Sequence, residues 1–253
     1  MTDNIPKLAV RDLSKSFAGL QAVADVSFDL YRHEILGLIG PNGSGKTTLI
    51  NIVTGLLPKT SGEVFIDGVD VTHFPAHKVT RAGLARTYQT IRLFKELTVA
   101  ENVEVGAVGI GLSRSKASKI AKELIEEVGL SREKGKLAKN LTFGGSRRLE
   151  IARALASNPK YLLLDEPAAG LNEEETDELL AFLRPLPEAK DIGILIVEHD
   201  MRLMMNLCDR LHVLNYGRTI AEGTPAEIRV NPEVIKAYLG AESAEKSAGG
   251  ERP

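Results

Sequence analysis

A single eight-residue stretch, Gly40-Pro41-Asn42-Gly43-Ser44-Gly45-Lys46-Thr47, constrains this chain more than anything else in it. It fits the G-x-x-x-x-G-K-[ST] pattern of a phosphate-binding loop. Just before it lies the continuously apolar run Ile35-Leu36-Gly37-Leu38-Ile39, which reads as a strand buried on both faces. Thr47 to Leu56 reads as a helix closed by Pro58. A loop between a buried strand and a helix N-terminus presents backbone N–H groups and the positive end of the helix dipole to an anion. The glycines let the backbone wrap phosphates, Lys46 supplies a positive charge, and Thr47 offers a hydroxyl to Mg²⁺.

A second segment matches the first. Tyr161-Leu162-Leu163-Leu164-Asp165-Glu166-Pro167 is an apolar strand ending in two carboxylates. Asp165 at the strand tip suits the Mg²⁺ shell, and Glu166 suits polarising an attacking water. An acidic pair often only caps the next helix, but on a chain that carries a phosphate loop the nucleotide reading wins. The acidic helix Glu173 to Leu183, between strands at Tyr161 to Leu164 and Ile192 to Val197, completes a βαβ unit.

The rest is organised around this α/β core. Alternating apolar residues from Leu8 to Val10 and through Ala24, Val26 and Phe28 read as early strands, and Gly62 to Gly68 as a strand running into an Asp-Gly turn. In the middle, Ala117, Ile120, Ala121, Leu124, Ile125 and Val128 have the spacing of an amphipathic helix over Ser115 to Val128. Arg147 to Ser157 reads as a helix stopped by Asn158-Pro159, and residues 241–253 read as a disordered tail.

Composition narrows the class. With 32 Lys+Arg against 34 Asp+Glu, the net charge of -2 argues against a general polyanion binder. The absence of tryptophan, with aromatics at 5%, argues against a base-stacking platform. The single Cys208 cannot form an internal disulfide, the N-terminal MTDNIPKLAV lacks the features of a secretion signal, and no run of 18 apolar residues occurs. The expected setting is the cytosol.

Three further features identify the kind of nucleotide enzyme. Leu141-Thr142-Phe143-Gly144-Gly145, opening a helix upstream of the acidic strand, resembles the LSGGQ signature loop of ATP-binding cassette (ABC) ATPases. Gln89 in Arg86-Thr87-Tyr88-Gln89 matches their Q-loop, and His199 after Ile194-Leu195-Ile196-Val197-Glu198 matches their switch histidine. The resemblance covers residues 6–240 and implies a P-loop ABC ATPase fold: a RecA-like core, an antiparallel β-subdomain, and an α-helical subdomain inserted at about 95–155. It implies ATP and Mg²⁺, with Asn42, Gly43, Ser44, Gly45, Lys46, Thr47 and Thr48 around the phosphates and Phe17 stacked on adenine. Thr47, Gln89 and Asp165 would meet the metal, and Glu166, His199, Gln89 and Lys46 would carry hydrolysis. Leu141 to Gly145 would act on ATP held by a second cassette. Two departures stand out: Phe143 and Gly145 replace the usual glycine and glutamine, and Asn172 stands where the D-loop usually has aspartate.

Several stretches resemble one subfamily in particular, the ATP-binding subunits of bacterial branched-chain amino acid importers. They are Arg86 to Gln89 with Ile91-Arg92-Leu93-Phe94, Glu166 to Asn172, Val197 to Met201, and Asn231 to Gly240. The resemblance implies a homo- or heterodimer of cassettes, integral membrane permease subunits, and a periplasmic or extracellular solute-binding protein reached indirectly. It places the chain in the cytoplasm, peripheral on the inner face of the plasma membrane. Related cassettes serve urea, amides or lipopolysaccharide export. Ser113 to Arg148 carries ten Lys/Arg against four Asp/Glu, an excess read as a solvated face of the helical region. No nucleic-acid partner is expected, since aromatics are not interleaved with these charges.

Overall fold

The computed structural model describes residues 7–238. Strands β1 (Lys7–Phe17), β2 (Leu20–Tyr31) and β3 (Ile35–Ile39) come first, then helix α1 (Lys46–Val53), β4 (Ser61–Ile66), β5 (Val69–Asp70), α2 (Ala76–Ala82) and β6 (Leu84–Arg86). Three helices follow, α3 (Val99–Gly109), α4 (Arg114–Glu127) and α5 (Phe143–Leu155). The chain then alternates through β7 (Tyr161–Asp165), α6 (Glu173–Leu183), α7 (Leu186–Lys190), β8 (Gly193–Val197) and α8 (Met201–Leu207). Then come β9 (Arg210–Asn215), β10 (Arg218–Gly223) and α9 (Pro225–Val230), and residues 232–238 are again helical. The expected tail at 241–253 lies outside the described residues.

The strands form two sheets. One is antiparallel, ordered β2-β1-β4-β5; the other is ordered β10-β9-β3-β8-β7-β6 and is parallel except for β10 at its edge. Every residue of β3, β7 and β8 is buried, and their side chains alternate between two cores. Ile35, Ile39, Leu162, Leu164, Ile194 and Ile196 join the helices in one core. Leu36, Leu38, Leu163, Leu195 and Val197 join α1 and the antiparallel sheet in the other. The sheet is covered on both faces, which is why its strands read as unbroken apolar runs.

Two-residue turns close all three hairpins. Ala18-Gly19, Asp67-Gly68 and Tyr216-Gly217 each have positive φ at both central positions, matching the twist of the strands they join. Helix α6 has the bounds the sequence predicts, with a capping box between Asn172 and Glu175. Two helix boundaries differ from expectation by three residues or more. Helix α1 ends at Val53 rather than Leu56, because Gly55 turns left-handed at φ 70 before Pro58 is reached. Helix α5 begins at Phe143 rather than Arg147, because the Thr142 side chain accepts from the Gly145 N–H and caps it earlier.

Candidate functional site

The glycine-rich loop leaves β3 through Gly40, at φ 151. A Cβ there would lie 2.1 Å from the Leu214 carbonyl, so only glycine fits. The loop is braced from outside: the Gly217 N–H donates to Ser44 O at 2.9 Å, and the Ala24 N–H donates to Gly217 O at 2.8 Å. Inside, the Lys46 ammonium donates to Gly40 O at 2.7 Å and Pro41 O at 3.0 Å. Burial holds its pKa below the usual lysine range, against the opposing pull of Glu166.

A cleft of about 530 Å³ opens over this loop. Asn42, Gly43, Ser44, Gly45, Lys46, Thr47, Thr48, Gln89, Glu166 and His199 all line it. Three of them converge: Gln89 Nε2 donates to Glu166 Oε2 at 2.8 Å, and His199 Nε2 lies 2.9 Å from Glu166 Oε1. Glu166 itself is left-handed at φ 47, with its N–H donating to Val197 O. A non-glycine residue held there by its surroundings is the kind of local strain that gathers at functional sites. His199 is fixed at the start of α8, where Asp200 caps the helix by accepting from the Leu203 N–H.

Asp165 sits behind the cleft. Its carboxylate pairs with Arg86 at 2.7 Å, both side chains being buried, and Arg86 also donates to Asn51 Oδ1 on α1. Arg86 thereby braces the acidic strand against the helix after the phosphate loop, a role that no local pattern around it signals. Thr47, Gln89 and Asp165 offer a hydroxyl, an amide oxygen and a carboxylate. That all-oxygen set with one carboxylate suits Mg²⁺, which keeps waters and substrate phosphates as its other ligands.

The Q-loop is tied to α5 by Arg147. Its guanidinium donates to Tyr88 O at 2.8 Å, to Gln89 O at 3.1 Å, and to Glu150 Oε2 at 3.1 Å. Glu150 also accepts from the Arg92 N–H. Arg147 was counted in the basic excess of the helical region, yet it is 1% exposed. That part of the solvated-face reading is corrected; its neighbour Arg148 does lie at the surface, paired with Glu178.

The remaining predicted residues stand apart from the cleft. Leu141, Thr142, Phe143, Gly144 and Gly145 form the capped start of α5, and none lines the cleft. A Cβ on Gly170 would lie 3.0 Å from the Phe143 ring, and one on Gly144 would lie 2.6 Å from Glu175 Oε1. The signature turn therefore packs on the loop that follows Glu166. Phe17 is also absent from the cleft lining; Lys15 Nζ lies 5.0 Å from its ring centroid. The apolar rim is made instead by Leu20 and Tyr216, which are 72% and 85% exposed. Leu20 at the first residue of β2 and Tyr216 on a hairpin turn lie outside any apolar periodicity.

Comparison with known proteins settles the family. A family model described as "ABC transporter" matches residues 23–169. The chain belongs to the ABC transporter family. A second model, "Branched-chain amino acid ATP-binding cassette transporter", matches residues 218–244 of this cassette. The cassette is 41% identical over 250 residues to the high-affinity branched-chain amino acid transport ATP-binding protein BraF of Pseudomonas aeruginosa, covering 93% of this chain and 98% of that one. It is 42% identical to LivG of Escherichia coli, a protein of the same description, with the same coverage. Identity to the lipopolysaccharide export ATP-binding protein LptB of Haemophilus influenzae is 37%, over 92% and 97% of the two chains.

Two solved structures extend the likeness. The ADP conformation of an ATP-binding cassette of an ABC transporter has a TM-score of 0.83 and 31% identity, covering 93% of this cassette and 99% of that chain. A dimeric cassette in a post-hydrolysis state bound to ADP and Pi has a TM-score of 0.77 and 26% identity, covering 86% and 98%. The cassette thus has the P-loop ABC ATPase fold and is an ATP-hydrolysing subunit.

Proposed function

We propose that this cassette hydrolyses ATP to drive import of branched-chain amino acids, as one of two cassettes beneath a pair of membrane subunits. The convergence of Gln89 and His199 on Glu166 beside the phosphate loop carries the hydrolytic part. The loop N–H groups and Lys46 hold the β- and γ-phosphates. Glu166 accepts a proton from the attacking water, and His199 and Gln89 keep that carboxylate aimed at the γ-phosphate. Mg²⁺ held by Thr47, Gln89 and Asp165 would neutralise charge developing on the phosphate oxygens. Phe17 and the rim residues Leu20 and Tyr216 take the base.

Placement of Leu141 to Gly145 outside their own cleft supports action on nucleotide held by a second cassette, and the dimeric ADP-bound relative supports the same arrangement. We assign residues 6–240 to the cassette, with the helical block at about 95–155 as its inserted subdomain. The groove of about 420 Å³ between the Q-loop and that block, with Tyr88, Arg92, Phe94, Val105 and Glu150 in its walls, receives the membrane subunit. Among the described residues no helix is long and apolar enough to cross a membrane. Attachment to the inner face of the plasma membrane therefore runs through that partner, and solute reaches the complex on a periplasmic or extracellular binding protein.

The two branched-chain relatives and the match over 218–244 support the solute class. The test is uptake of labelled leucine, isoleucine and valine in source cells whose other cassettes for these solutes are deleted. Lys46→Ala should collapse uptake. Unchanged uptake, with the purified wild-type protein still hydrolysing ATP, would overturn the solute and turn attention to urea, amides or lipopolysaccharide export.

A further inference from the structure

Glu198 is a buried acid to which the hydrolytic reading gives no role. It follows directly on β8 and is 5% exposed. Its Oε1 accepts from the Ala168 N–H at 2.7 Å, and its Oε2 accepts from the His199 N–H at 3.0 Å. Burial pushes its carboxyl above the usual range, against the pull of those two donors. Ala168 stands two residues beyond Glu166, and His199 lies 2.9 Å from the Glu166 carboxylate. Ala168 also begins the loop whose Gly170 packs on the Phe143 ring. The two N–H donors sit on separate segments, and each takes its own oxygen of the carboxylate.

We propose that Glu198 is a positioning residue for hydrolysis, holding His199 and the 168–172 loop in fixed relation to Glu166. His199 and the signature turn then shift together, through Glu198, Ala168, Gly170 and Phe143. This rests on the assignment of Glu166 and His199 to hydrolysis made above. Glu198→Gln keeps the size of the side chain, but its NH₂ must face one of the two N–H donors, so one contact is lost whichever way the amide turns.

The test is steady-state hydrolysis of ATP·Mg²⁺ by the purified full-length chain carrying Glu198→Gln, His199→Ala, or both. Glu198→Gln should lower kcat about 10- to 100-fold, the equivalent of one hydrogen bond to a charged group. KM for ATP should stay within about threefold, since ground-state binding is untouched. On the His199→Ala background, Glu198→Gln should cost less than it does alone, because part of its effect runs through the histidine. Wild-type kcat, a KM that rises as kcat falls, or a loss that multiplies on that background would each overturn the role. His199→Ala alone separates the two readings. If it keeps turnover, the histidine assignment fails and Glu198 falls with it. If it loses turnover while Glu198→Gln does not, Glu198 alone falls.

Discussion

Arg147 and Arg148 are adjacent in the sequence and should respond very differently to the same substitution. Arg147→Met removes a guanidinium that is fully buried and bonded to Tyr88 O, Gln89 O and Glu150 Oε2. Methionine refills most of the apolar stem, so the cost is electrostatic rather than a cavity. Glu150 is left with the Arg92 N–H and a distant Arg153 at 4.0 Å. Breaking a buried pair in this way costs about 3–5 kcal/mol. For a chain of this size, each kcal/mol moves Tm by about 2–4 °C, so a fall of about 6–20 °C is expected. Arg148→Met breaks a pair with Glu178 whose side chains are 35% and 55% exposed, worth about 0–1 kcal/mol. Its Tm should fall by less than about 4 °C. Calorimetric melting of both variants at neutral pH is the assay. Replacing both members, Arg147→Met with Glu150→Leu, should recover part of the loss, since no charge is then stranded. Equal falls for the two single variants would refute the reasoning.

Two other predictions concern the loop and a buried acid between β2 and β3. Gly40→Ala should cost about 2 kcal/mol or more and abolish ATP binding, because its Cβ would strike the Leu214 carbonyl at 2.1 Å with φ at 151; retained binding in a fluorescent-nucleotide titration would contradict it. Burial raises Glu34 to about 7 despite the nearby Arg210. A carboxyl raised on folding loses protons first in the unfolded chain, so its contribution to stability falls between about pH 4.5 and 7, by at most about 3 kcal/mol. Denaturant titrations across that window should show a shallower decline in Glu34→Gln than in the wild type; parallel curves would count against it.

How far the sequence carried the reading depended on the element. The strands β3, β7 and β8 were legible because a sheet covered on both faces demands unbroken apolar runs, and α6 because its acidic run lies between two such strands. The start of α5 was not, since Gly144 and Gly145 read as loop while the cap that makes them helical is one hydroxyl, Thr142. The convergence on Glu166 was legible through motif order alone. The groups that position it were not: Arg86, Arg147 and Glu198 act through partners between 30 and 79 residues away. Charge counting saw two equal arginines at 147 and 148, and only packing tells them apart. Phe17 comes from the family resemblance alone, and the cleft rim adds Leu20 and Tyr216, which no motif marks.

We propose that Glu166 drives hydrolysis at a cleft completed by a second cassette. Glu166→Gln, purified and saturated with ATP·Mg²⁺, tests it by light scattering combined with phosphate release. The account predicts a stable dimer of about twice the 27.4 kDa chain mass that releases almost no phosphate, alongside a wild type that turns over. A variant that hydrolyses ATP at the wild-type rate would remove Glu166 from the chemistry. One that binds ATP, stays monomeric and releases no phosphate would contradict the two-cassette site.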